Sequence, residues 1–263
     1  MRIASVGHAV FAATMIVIGL MGLIQGDFAP IWQQVPESLS ASKPLAYLCA
    51  FVSLGCGLGL LWRRTAASAA RALFFFLFVW MLIVDGRFIV QAPTVEGSYQ
   101  MTGETAVIVA AAWVLYAWFA TDADRRRLAF AVGDRGVRLA RMLYGLALIA
   151  FGLSHFAYLE LTAPLVPGWL PAHVFWAYFT GAAFTAAGLA VISGVWARLA
   201  AALSAWQIGL FTLIVWVPIL AAGNVSAQHW IETVDSGVLT AAACVVADSY
   251  RDTPWLATRF GRP

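Results

Sequence analysis

Charge is what this sequence has least of. Only 11% of its 263 residues are Asp, Glu, Lys or Arg, against 62% hydrophobic, and the mean hydropathy is +0.82. A chain so poor in charge cannot cover a soluble surface, so a soluble globular enzyme is excluded. The net charge of +3 gives no basis for nucleic-acid binding. Cysteine is nearly absent: Cys49, Cys56 and Cys244 all fall inside apolar runs with no C-x-x-C spacing, which argues against thiol–disulfide chemistry. No phosphate-binding Walker loop, dinucleotide fingerprint or G-x-S-x-G elbow occurs, which disfavours an ATP-driven pump or a serine hydrolase. H-x-x-x-H and H-E-x-x-H spacings are missing too, so no local motif ties two metal ligands together.

Long apolar runs are what the sequence does have. A bilayer core about 30 Å thick needs roughly 20 helical residues at 1.5 Å each. Eight such runs are predicted, at about 5–24, 44–62, 72–90, 104–120, 140–158, 174–192, 199–220 and 232–248. Fourteen of the sixteen Lys and Arg residues fall on one side if both termini are cytoplasmic: Arg2, Arg63, Arg64, Arg71, Arg125, Arg126, Arg127, Arg135, Arg138, Arg141, Arg198, Arg251, Arg259 and Arg262. Lys43 and Arg87 remain on the other. This predicts a multi-pass protein of a bacterial inner membrane with cytoplasmic N- and C-termini, whose first partner is the lipid bilayer.

The second half of the chain repeats the first at an offset of about 131 to 133 residues. "GLMGLIQGDFAP" lies over "GLSHFAYLELTAP", "AYLCAFVSLGCGLGLL" over "AYFTGAAFTAAGLAVI", and "ETAVIVAAAWV" over "DSGVLTAAACV". A four-helix unit returns the chain to its starting side, so two copies share one orientation. The predicted fold is all-α, with eight transmembrane helices as two tandem, same-orientation four-helix bundles. The divisions are 1–121, a basic linker 122–137, a second unit 138–250 and a tail 251–263. Each unit carries a Pro- and Trp-containing loop after its first helix, predicted as a short interfacial or re-entrant segment covering the outer end of the bundle, and the linker and tail arginines are predicted on anionic headgroups.

The four-helix unit, the "GLSHF-x-Y" ending of its first helix, "GAAFTAAGLAVI" followed by "GVWARLAA", and "LFTLIVWVP" resemble the DoxX-like membrane family in a doubled form. The resemblance covers nearly the whole chain. It implies a membrane subunit or enzyme of redox metabolism that acts on a quinone or another lipid-soluble carrier at the outer leaflet, with a membrane or periplasmic redox partner. More distant relatives are cargo or assembly factors.

Protonatable groups inside a membrane are functional candidates by default. His155, His173 and His229 belong to the predicted outer side of the second unit, each at the end of a different helix. His155 and Tyr158 are spaced i, i+3, as are His229 and Glu232. Glu160 joins His155 only if the helix unwinds between them. His155, Tyr158 and Glu160, with Asp85 and Arg87 of "WMLIVDGRFIVQAP", are the candidate carrier-binding residues. His155, His173, His229 and Glu232 are the candidate ligands for a transition metal. Asp85 and Arg87 do not share a helix face, so an ion pair between them needs distortion at Gly86. Asp27 and Glu160 recur at corresponding helix ends. Glu104 and Asp235 open their apolar runs and read as helix N-caps. Two other function classes stay open on sequence: a transporter whose intramembrane charges are Asp85 and Arg87, and a non-catalytic assembly factor.

Overall fold

The computed structural model describes residues 4–36, 42–223 and 226–258. Arg2, Arg259 and Arg262 of the charge-asymmetry argument lie outside the described residues. Eight helices are long and apolar enough to cross a membrane: α1 (Val6–Gln25), α2 (Lys43–Leu61), α3 (Ala66–Gln91), α4 (Glu96–Phe119), α5 (Gly133–Ala157), α6 (His173–Ser193), α7 (Ala197–Ala221) and α8 (Ala227–Asp248). No strand occurs among the described residues.

All eight predicted runs become helices, but α4, α5 and α8 start up to eight residues before the apolar run does. Hydropathy finds the lipid-facing part of a helix, whereas the helix itself continues until a cap stops it. At α8 that cap is Ser226, whose hydroxyl accepts the His229 backbone N–H at 3.2 Å while His229 Nδ1 accepts the Ser226 N–H at 3.4 Å. Glu104 and Asp235 therefore lie about two turns inside α4 and α8 and cap neither, which corrects the N-cap reading.

Neighbouring helices in the chain pack together: α1 on α2, α2 on α3, α3 on α4, α4 on α5, α5 on α6, α6 on α7 and α7 on α8, and α8 returns to α1. Across the middle, α4 and α8 also meet. The contact between α1 and α8 is fixed by Asp248, which accepts the Gly7 N–H at 3.0 Å. There the last acid of one helix meets the positive N-terminal end of another.

Apolar burial cannot drive helices together in lipid, so close backbone approach must do so. The contact of α5 with α6 shows how. A β-carbon on Gly188 would stand 2.5 Å from the Gly145 carbonyl oxygen, and one on Gly152 would stand 2.6 Å from that of Gly181. Only glycine fits at either crossing.

Helices α3 and α7 each contain a π-helical turn, Met81–Asp85 and Thr212–Trp216. Pro218 follows the second and lacks the N–H that an α-helical bond there would need. The first ends at Asp85, beside the predicted distortion at Gly86.

The arginine-bearing ends of the helices are tied to protein groups. Arg71 pairs with Asp124 of a short helix, Asp122–Arg127, between α4 and α5. Arg141 donates to the Ser249 hydroxyl and carbonyl and lies 3.7 Å from the Tyr250 ring centroid. Arg198 donates to the Thr253 carbonyl at 2.8 Å and lies over Trp255, and the Trp196 N–H reaches the Ala257 carbonyl. Of the linker and tail arginines expected on headgroups, Arg141 docks on Ser249 and Tyr250 and Arg251 donates to the Ala4 carbonyl, while Arg125, Arg126, Arg127, Arg135 and Arg138 are exposed.

Candidate functional site

Between α6 and α7 a crevice of about 770 Å³ runs along the helices. One wall is the small-residue face of α6, Ala183, Ala186, Ala187 and Ala190, which leaves space that larger side chains would fill. Trp176, Phe179, Trp206, Phe211 and Trp216 give it aromatic walls, and Leu165 to Pro167 lie at one end. Its lining is overwhelmingly apolar, with a few polar groups, among them His155, Ser154 and Gln100, at the end away from Trp196.

His155 is held from both sides. Its ring stacks on Phe211 at 6.2 Å between centroids and tilts against Phe184 at 5.7 Å. Nδ1 lies 2.8 Å from the Phe151 carbonyl oxygen. A carbonyl only accepts, so Nδ1 carries the proton, and in the neutral ring Nε2 is left as an acceptor. Gln100 enters from α4. Its Nε2 donates to Glu104 Oε1 at 3.0 Å, while its own Oε1 is buried without a partner. The crevice thus offers one acceptor, His155 Nε2, at one end of an apolar slot, with the enclosed Gln100 amide beside it.

The other sequence candidates are used elsewhere. α5 does unwind at Tyr158, and the chain re-enters a short helix at Leu159–Thr162, but Glu160 is exposed. The Tyr158 hydroxyl accepts the Gly97 N–H at 3.0 Å and so holds the first turn of α4. His173 begins α6, His229 caps α8, and Glu232 accepts from Gln228 at 2.6 Å. Among the described residues no three His, Cys, Asp or Glu side chains come together in a way that could hold a metal ion. Asp85 is fully buried, and Arg87 donates to the Gln34 carbonyl at 3.1 Å while lying over Phe88. No ion pair joins the two among the described residues.

The corresponding groove between α2 and α3 is occupied by the chain itself. Trp32, in the loop expected to be interfacial or re-entrant, is completely buried with Ile31 in the core. The neighbouring Gln33 amide and the Trp80 ring both face the Cys49 thiol, and Phe28 packs edge-on against Trp80 at 6.1 Å. Trp169, in the loop before α6, is 71% exposed and fills nothing.

Sequence reasoning missed Gln100 and the two acids behind it. Their only signal was that Glu104 and Asp235 fall on each other in the repeat. Compared with known proteins, the chain matches no family model, no curated protein and no solved structure. What fold and site define by themselves is a multi-pass helical membrane protein with an apolar crevice ending in histidine.

Proposed function

We propose that the protein binds a lipid-soluble aromatic carrier of the quinone/quinol class in the α6–α7 crevice and belongs to a membrane redox system. On this reading it is a DoxX-like protein of two tandem, same-orientation four-helix units in a bacterial inner membrane, with both termini cytoplasmic. Supporting the duplication, the π-turns Met81–Asp85 and Thr212–Trp216 are offset by 131 residues, within the offset of the sequence repeat. The ring of neighbours that closes from α8 to α1, with α4 against α8, is what two related halves produce.

One observation carries the ligand class: the loop after α1 packs Phe28 and Gln33 against Trp80 and Cys49 of α3 and α2, whereas between α6 and α7 an alanine-lined crevice stays open. Its aromatic walls, Trp176, Phe179, Trp206, Phe211 and Trp216, suit a flat ring. The polar end narrows the choice. His155 Nε2 is an acceptor, so a ring bearing a hydroxyl donor, the reduced quinol, satisfies it. Oxidation of such a carrier requires its hydroxyl protons to leave, and His155 stands where it can accept one.

The test is binding of a short-chain ubiquinol analogue to the full chain in lipid nanodiscs, followed by quenching of tryptophan fluorescence, since Trp176, Trp206 and Trp216 line the crevice. His155→Ala should weaken binding at least tenfold, and Asp27→Asn should leave it unchanged. Equal affinity in wild type and His155→Ala, or no saturable binding, defeats the reading.

A further inference from the structure

Behind the crevice, where α4 and α8 meet at the centre of the molecule, Glu104 and Asp235 lie within electrostatic range of each other, and Glu232 lies within range of both. From the π-turn of α3 comes Asp85, which is 1% exposed and whose Oδ2 has no hydrogen-bond partner. It lies within range of Glu104 and faces the fully buried hydroxyl of Thr105. The matching position of the second unit is Ser236, whose hydroxyl bonds Thr212 of the other π-turn at 2.8 Å. Asp235 Oδ1 is likewise buried and unpartnered.

The charges do not balance. Around these acids, α3 supplies Asp85 and Arg87, α4 supplies Glu96 and Glu104, α8 supplies His229, Glu232 and Asp235, and α5 supplies His155 and Tyr158. Arg87 is the only permanent cation in this group; it lies within electrostatic range of Asp85 while donating to the Gln34 carbonyl and lying over the Phe88 ring, so it can offset one of these acids and not all of them. Several carboxylates left ionised together in a low-dielectric interior are strongly disfavoured. Neutrality needs either a bound metal cation or protons. The described acids do not form a three-ligand set, so their geometry favours the proton.

We propose that Glu104 and Asp235, with Asp85 beside them, form a membrane-internal proton-binding site that communicates with the crevice through Gln100. The proton-binding site stands independently of the carrier reading, while the role of Gln100 rests on it. Gln100 belongs to both places: it lines the crevice and donates to Glu104. A molecule in the crevice that displaces the Gln100 side chain would change the length and strength of its N–H bond to Glu104. Occupancy of the crevice is thereby sensed at the carboxyl pair.

Infrared difference spectroscopy of the full chain in nanodiscs tests both parts. Wild type should show a protonated-carboxyl C=O band that shifts in D₂O and titrates with pH. Glu104→Gln and Asp235→Asn should each remove part of it and the double variant most of it, with Asp27→Asn as the unchanged control. No such band in wild type, an undiminished band in a folded double variant, or a band displaced by adding Na⁺, K⁺ or Ca²⁺ overturns the proton site. The ubiquinol analogue should then shift the Glu104 component in wild type but not in Gln100→Leu. Saturable binding with no shift overturns the link to the crevice alone. Absence of binding defeats the carrier reading and, with it, the role of Gln100, while the titrating band still decides the proton site.

Discussion

Arg71 Nη1 lies 2.9 Å from Asp124 Oδ1, joining the start of α3 to the short helix between the two halves of the chain. The same carboxylate closes a capping box, with Oδ2 accepting the Thr121 N–H at 2.9 Å and also bonding its hydroxyl. Burial works against the charged form, but the Thr121 bonds and Arg71 outweigh it and hold Asp124 down to about 2. A carboxylate so depressed stabilises the fold above its unfolded value near pH 4, and that contribution is lost as pH falls towards about 2. Asp124→Asn should lower stability at pH 7 by about 1–2 kcal/mol, the scale of a lost cap, and flatten the loss between roughly pH 4 and pH 2. Thermal unfolding in detergent at several pH values measures both.

Gly188 offers a direct test of helix packing. Gly188→Leu places a branched side chain where a β-carbon already meets the Gly145 carbonyl oxygen, so α5 and α6 must separate. The expected outcome is loss of a monodisperse peak in size-exclusion chromatography. Gly55→Leu, where nothing lies within 4 Å of an added β-carbon, should leave the peak intact.

The two grooves predict opposite responses. Ala183→Phe puts an aromatic ring into the open crevice and should abolish binding of the ubiquinol analogue with little change in stability. Trp32→Ala leaves a cavity in the packed core, at a cost of about 3–5 kcal/mol by the usual scale for a buried aromatic. In preparations that stay folded, binding should persist at one per chain, read by equilibrium dialysis, because Gly22 stands where the crevice has His155.

Topology is checked with single cysteines in a chain whose Cys49, Cys56 and Cys244 are replaced by alanine. Arg64→Cys and Ala222→Cys are both at exposed positions, at opposite helix ends. If both termini are cytoplasmic, an impermeant maleimide added to intact cells labels the second and spares the first.

The eight spans were legible because the bilayer demands long apolar runs and the chain supplies eight. The same criterion misplaced Glu104 and Asp235: hydropathy treats a charge as an edge and cannot tell a helix end from an acid buried within one. His155 was legible through its asymmetry, since its counterpart in the first half is Gly22. His229 and Tyr158 looked equally suggestive, yet each is taken up by a backbone N–H, that of Ser226 beside His229 and that of Gly97 in α4 for Tyr158, which spacing alone does not reveal. The crevice was invisible because it depends on what a neighbouring loop declines to fill.

The π-turns of α3 and α7 have a rotational consequence. Each inserts one residue into the winding, which turns everything beyond it by about 100° relative to an uninterrupted α-helix. In α3 this phase change falls where Asp85 is directed inward while Arg87, two positions on, reaches the Gln34 carbonyl. Removing a single residue from Met81–Asp85 would wind the helix evenly again, and the far end of α3 would then show its neighbours a different set of side chains.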